Sequence, residues 1–206
     1  MEEKFPCSAA DCASLVLPEM LPVMLLSECW LFPGCLLPLF IFEERYREMV
    51  RQALRSHRMF CIGTRMPSDP DRVLPISTAG IVNACVKHAD GTSHLVLQGT
   101  RRIRLRNWVN DDTPYRVARI EPVETEPFCH AAVSHLREEV MNKLPPCHGE
   151  AGGLIGHLCA RLRVMTNCEF VCDVLTYHFV RDPEVLNASL VETNLERRYR
   201  LLLEAL

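Results

Sequence analysis

Three groups of side chains in this sequence have types and spacings that could do chemistry. Cys168 and Cys172 stand at i, i+4, which puts two thiols on one face of a helix at a chelating distance, and Cys129-His130 and Cys147-His148 could in principle complete a tetrahedral site. Structural zinc sites, however, use tight paired knuckles of the C-x₂-C kind, and none occurs here. An unpaired thiol is also a small core hydrophobe, so packing is the expectation, with no metal and no cofactor. The same reading covers Cys29 and Cys35, which straddle a predicted turn. Arg102, Arg104 and Arg106 alternate with Ile103 and Leu105, which sets three guanidinium groups on one side of a strand. Such a stripe could hold phosphate or an acidic peptide. It equally suits a solvated outer face whose arginines pair with Asp111, Asp112 or Glu121, and the shortage of interleaved aromatics argues against nucleic acid. Trp30, Phe32, Phe40 and Phe42 form the third group. Most should be core, but one or two left exposed would suit the apolar side chains of an unfolded chain. Cys–His dyads assemble from distant segments, so the adjacent Cys129-His130 is no signature of one, and no catalytic residue is expected.

The elements that must position these groups are legible from periodicity. Leu21 to Leu26 reads as a strand, Trp30 to Gly34 as a turn, and Leu36 to Phe42 as a second, buried strand. A helix follows almost at once, from about Glu43 to Ser56, with Tyr46, Met49, Val50 and Leu54 on its apolar face. Met59 to Thr64 is the next strand, and Met66 to Asp71 a loop by its Pro and Asp content. Ala79 to Lys87 and Ser93 to Gln98 form a hairpin across Asp90-Gly91, a dipeptide suited to two positive-φ positions. Gly99 marks a bend before the arginine strand, and Tyr115 to Val123 is the last strand. Beyond Pro127 the period becomes helical: Cys129 to Leu144, Leu154 to Val164 and Glu169 to Phe179. Asp182-Pro183 then starts a helix, and Thr193-x-x-Glu196 is a capping box for a final one with Leu195, Tyr199, Leu202 and Leu206 on its apolar face.

Composition is that of a globular chain: 48% hydrophobic, 24% charged, net charge −3. The central segment is mildly basic and its flanks mildly acidic, too little for a field that would recruit nucleic acid. Eleven cysteines at irregular spacing do not make a disulfide scaffold. The acidic start lacks the basic region of a signal peptide, and Pro18, Pro22, Pro33 and Pro38 break the apolar stretch after Leu15 into pieces too short to span a bilayer. The expectation is a cytoplasmic protein with reduced thiols and no membrane association.

Several of these pieces resemble, in order and spacing, the N-terminal substrate-binding domain of Lon proteases. They are Leu21-Pro22-Val23, Phe32-Pro33-Gly34, Leu37-Pro38-Leu39-Phe40 with Arg45-Tyr46 and Met49-Val50, Gly80 before a Val-rich strand, Asp90-Gly91, and Leu97-x-Gly99-x-x-Arg102-Ile103. The same module opens cereblon-like proteins. The resemblance implies an α+β fold: a PUA-like β pseudo-barrel over 21–124 with one inserted helix, then a C-terminal helical bundle over 125–206, preceded by a mobile arm at 1–20. No phosphate loop G-x-x-x-x-G-K-[ST] is present, and of the three lysines, Lys4, Lys87 and Lys143, none sits where a general base is needed. What the resemblance implies is therefore a stand-alone, non-catalytic module that binds unfolded polypeptide or a partner protein, with an adaptor role in protein quality control as its setting. The alternative is an RNA-binding PUA-like protein that uses the arginine face. Trp30, Phe32, Arg102, Arg104 and Arg106 are the candidate contact residues, and the oligomeric state is left open.

Overall fold

The computed structural model describes residues 16–66, 69–109, 112–144 and 153–206. Most of the expected N-terminal arm, Cys147-His148 and Asp111 lie outside these residues. The chain divides into two compact units after Val123.

Among the described residues the first unit contains seven strands and one helix: β1 Met20–Ser27, β2 Leu36–Ile41, α1 Glu44–Ala53, β3 Met59–Met66, β4 Asp69–Val73, β5 Ile76–Lys87, β6 Ser93–Val109 and β7 Arg116–Pro122. Five of the strands run β1-β7-β6-β5-β3, and β1 also pairs in parallel with β3, so the sheet closes on itself as a small pseudo-barrel. β4 extends from β3, and β2 is attached only to β6. Closure explains the residue pattern, because neighbouring positions on a strand face opposite sides. Val23, Cys61, Ala79, Ile103 and Ala118, contributed by all five ring strands, form one buried cluster. Their small side chains suit a narrow interior.

A second buried cluster lies under α1, where Tyr46, Met49, Val50 and Ala53 meet Met24, Phe60, Ile62, Leu95 and Leu97. The spacing of Tyr46, Met49 and Val50 makes this the apolar face expected of the helix. The Tyr46 hydroxyl donates to the Leu25 carbonyl and accepts from the Leu25 N–H, each at 3.1 Å. Burial pushes its phenol above the ordinary range, although the Arg45 charge and the Leu25 bond draw it back.

Four expectations about this unit need correction. Asp69–Asp71 is not loop but part of β4, whose Asp69 and Val73 pair with Met66 and Arg65 of β3 despite the Pro and Asp content. Gly99 does not separate two strands. β6 is one element of 17 residues, and its partnership with β5 slips by one residue between Ala79 and Gly80. Gly99 is needed there because the Phe32–Cys35 turn clasps it. The Gly34 N–H donates to the Gly99 carbonyl at 2.8 Å and the Gly99 N–H to the Cys35 carbonyl at 2.9 Å, and a Cβ would collide with the Phe32 carbonyl. At the β5–β6 tip only Gly91, at φ +83°, is left-handed, while Asp90 is not. Gly91 N–H bonds the His88 carbonyl and the Asp90 carboxylate caps the Thr92 N–H at 2.9 Å, a three-residue loop rather than a two-residue one. Finally, β2 is not a buried strand, as described below.

The second unit is helical: α2 His130–Lys143, α3 Gly153–Val164, α4 Cys168–Phe179, α5 Pro183–Val191 and α6 Leu195–Ala205. Asp182 caps α5 through the Glu184 N–H, with Pro183 in its first turn. The last helix is capped by Asn194, whose side chain accepts from the Arg197 N–H at 3.0 Å, and not by Thr193. Thr193 instead donates to Glu126 at 2.7 Å. Leu195, Tyr199 and Leu202 are fully buried, whereas Leu206 is exposed at the chain end. Inside the unit the buried Arg198 donates to Asp173 at 3.1 Å and to Thr125 at 2.8 Å. Among the described residues no helix is long and apolar enough to cross a membrane.

Candidate functional site

The sequence places six apolar residues in a row, Leu36 to Ile41, so both faces of β2 are hydrophobic. One face, Leu37, Leu39 and Ile41, packs against the cluster under α1. The other carries Leu36, Pro38 and Phe40, all exposed, and Phe42 continues it beyond the strand end. β2 is an edge strand, which is why Pro38 is tolerated within it.

Pairing across the sheet makes this face continuous. Pro38 lies opposite Val96, which lies opposite Ala84; Phe40 lies opposite His94, which lies opposite Val86. Phe40 is 50% exposed, Phe42 61% and Val86 62%. The Phe40 ring stacks on Phe42 with centroids 5.9 Å apart and sits 4.7 Å from the His94 ring. His94 Nδ1 is 2.8 Å from His88 Nε2, so one imidazole donates to the other. Towards the other end Gln98 is buried and accepts from the Asn83 amide at 2.9 Å, a polar border to the patch. Isolated exposed apolar residues are ordinary, but a contiguous three-strand face carrying two phenylalanines is a mark of an interaction surface.

The candidate residues from the sequence fall elsewhere. Phe32 is fully buried, and the Arg102 guanidinium lies 5.9 Å from its ring. Arg102 itself is 6% exposed, so the three arginines do not form one solvated stripe. Arg104 is half-buried, and Arg106 is exposed but donates to Glu121 at 2.6 Å, which holds that carboxyl below its usual range. Trp30 is half-buried. None of these belongs to the apolar face. Phe40 and Phe42, grouped with them as aromatics, are the ones that remain exposed. Leu36, Pro38, Val86 and His94 were not singled out. The available signal was the lack of alternation in β2, which reads as burial on both faces when only one is covered.

Cys172 is buried, and Cys168 accepts a long contact from Arg137 at 3.8 Å while lying 3.7 Å from the Thr166 carbonyl. Burial pushes the Cys29 thiol up to about 11 and that of Cys61 further, the reverse of what a nucleophile needs. The eight cysteines among the described residues are free thiols, and no three His, Cys, Asp or Glu side chains among those residues gather as a metal site would require.

Comparison with known proteins places this geometry in context. The sequence profile of the ATP-dependent protease La (LON) substrate-binding domain matches residues 20–206. A Lon protease of Desulfosudis oleivorans is 26% identical over 167 residues, 74% of this chain and 20% of the relative. A Lon protease of Dictyoglomus thermophilum is 31% identical over 128 residues, 60% of this chain and 14% of the relative. The chain thus spans about a fifth or less of the length of these curated relatives. Among solved structures, the N-terminal domain of the Mycobacterium avium complex Lon protease superposes with a TM-score of 0.72 at 15% identity, covering 90% of this chain and 96% of that one. A Lon N-terminal domain protein from Xanthomonas campestris gives 0.61 at 20% identity, with 90% and 97% coverage. At those identities the structures share the fold.

Proposed function

This chain belongs to the family of the Lon substrate-binding domain, and we propose that it binds unfolded polypeptide through the exposed face of β2, β6 and β5. The observation that carries the reading is the contiguous surface formed by Phe40, Phe42, Val86 and their neighbours. An unfolded segment offers apolar side chains without fixed geometry. A face bearing exposed aromatic rings can take many such sequences, because burial is non-directional and scales with area. The role is non-catalytic: binding needs neither nucleotide nor an activated nucleophile, and the raised thiols of Cys29 and Cys61 offer none. In a reducing, cytoplasmic setting such a module would act as an adaptor in protein quality control, presenting damaged chains to other components.

The test is a Phe40→Ser/Phe42→Ser double variant assayed against a permanently unfolded, labelled test polypeptide by fluorescence anisotropy. Both rings are exposed, so the melting temperature should stay close to that of the wild type. Affinity should fall on the order of tenfold or more, the scale of two partly buried phenylalanines. Unchanged affinity in a folded double variant would remove this face as the binding surface.

A further inference from the structure

Among the described residues two strands of the first unit, β2 and β4, end the sheet with an open edge. An open edge is a template for another chain, and it is ordinarily blunted with proline and charge. β4 is blunted in that way, by Asp69-Pro70-Asp71-Arg72. β2 carries no charged residue. Its pairing with β6 determines which backbone groups face outward. At one end the Gly99 N–H donates to the Cys35 carbonyl at 2.9 Å, and in the hairpin the His88 N–H donates to the Thr92 carbonyl at 2.9 Å. Backbone direction alternates along an antiparallel strand, so both bonds set the same phase for β6. Ser93, Leu95 and Leu97 turn to β2, and His94 and Val96 turn to β5. Leu37, Leu39 and Ile41 are therefore bonded to β6, and the N–H and C=O of Phe40 and the C=O of Pro38 point to the open edge. Pro38 fits this phase, because at an outward position it has no ladder bond to forfeit. Among the described residues no partner meets these three groups. The side chains mark the same gap. Leu37 and Leu39 face the cluster under α1 but are only half-buried, whereas Ile41, next on that face, is 3% exposed.

From these observations we infer that the captured polypeptide docks as an extended strand added to the open edge of β2. Its backbone accepts from the Phe40 N–H and donates to the Phe40 and Pro38 carbonyls. Its alternate side chains complete the cover of Leu37 and Leu39 on one side and meet Pro38 and Phe40 on the other, since successive residues of a strand face opposite ways. Main-chain bonds are indifferent to side-chain identity and supply affinity for many sequences, while the two apolar sides select by pattern. The inference rests on the polypeptide-binding reading and names the class of segment taken: extended, apolar on both sides, and free of proline where its N–H groups meet β2.

The test follows hydrogen exchange of the Phe40 amide in the full chain, with an unstructured peptide as the probe, a Val-Leu run flanked by Gly and Ser. In the free chain that amide should exchange quickly, and saturating peptide should protect it on the order of tenfold or more. Two variants read the same bond: Phe40→Val keeps the N–H, Phe40→Pro removes it, and both lose the ring. Proline already occupies the equivalent position 38, so the two variants should melt together. Phe40→Pro should bind the peptide about fivefold more weakly than Phe40→Val, the scale of one hydrogen bond. If Phe40→Pro melts lower, the exchange measurement decides alone. An unprotected Phe40 amide at saturation, or equal affinities of two equally stable variants, overturns the inference and leaves the apolar face in place. Protection already present in the free chain also overturns it: the edge then belongs to a second copy if protection grows with protein concentration, and to the chain itself if it does not. If the peptide does not bind the wild type, the polypeptide-binding reading falls and takes this inference with it.

Discussion

At the scale of the residue, Tyr46 shows how much one side chain can fix. Its ring fills the layer between α1 and the barrel, and its hydroxyl satisfies both polar groups of Leu25. Tyr46→Phe keeps the ring and strands the Leu25 groups, and should cost about 1–2 kcal/mol. Met49→Ala removes a fully buried side chain from the same layer and should cost about 2–4 kcal/mol. Urea midpoints at constant slope check both; a Tyr46→Phe midpoint equal to wild type would show that water replaces the hydroxyl. These positions were legible because helical spacing separates an apolar face from a charged one. Phe32 and Arg102 were not. The turn that carries Phe32 folds back on Gly99, and burial created by a tertiary contact between distant segments leaves no local period to read.

Elements meet through contacts that composition does not advertise. Gly99 lies inside a continuous strand, and its missing Cβ lets the Phe32–Cys35 turn dock. Gly99→Ala should therefore destabilise by more than about 2 kcal/mol, since backbone and not a flexible side chain must move. A thermal melt matching wild type would show that the turn yields freely. In the helical unit α4 and α6 are tied by Arg198 and Asp173, at 1% and 4% side-chain exposure. Arg198→Leu leaves an uncompensated carboxylate and should cost about 3–5 kcal/mol, whereas replacing both partners with apolar residues should recover most of it. If the double variant is as unstable as the single, packing and not charge is what matters there. Helix starts were readable to within a residue. The cap of α6 is Asn194 rather than Thr193, whose hydroxyl donates instead to Glu126, 67 positions away. The edge position of β2 was hidden for a similar reason. Which strands border it is a property of topology, and an all-apolar run is the same string whether one face or two are covered.

For the whole molecule, the contest between polypeptide and RNA turns on how charge and apolar surface are distributed. A net charge of −3 offers no long-range attraction for a polyanion, and the arginine run gives up most of its phosphate-binding capacity in the folded chain. Arg102 is buried and Arg106 is committed to Glu121, which leaves Arg104 half-buried between them. Two exposed rings, Phe40 and Phe42, lie instead on a face without a basic residue among Leu36, Pro38 and Val86, whereas the exposed Trp108 ring on β6 has the Arg116 guanidinium 5.8 Å from its centroid. Stacking on the two phenylalanine rings alone would hold bases weakly without cations to track the backbone. The affinity for an unfolded polypeptide poor in acidic residues should therefore change little as salt rises, since apolar burial is not screened. Single-stranded RNA should bind weakly at low salt, and Arg104→Gln/Arg106→Gln should leave polypeptide binding nearly intact. Phosphate-driven binding behaves in the opposite way, with a log–log salt slope of roughly −0.7 for each phosphate neutralised on a single strand. Tight RNA binding with that slope, abolished in the arginine double variant and untouched by Phe40→Ser/Phe42→Ser, would transfer the function from the apolar face to the β6–β7 pair, where Arg106 would have to exchange Glu121 for phosphate.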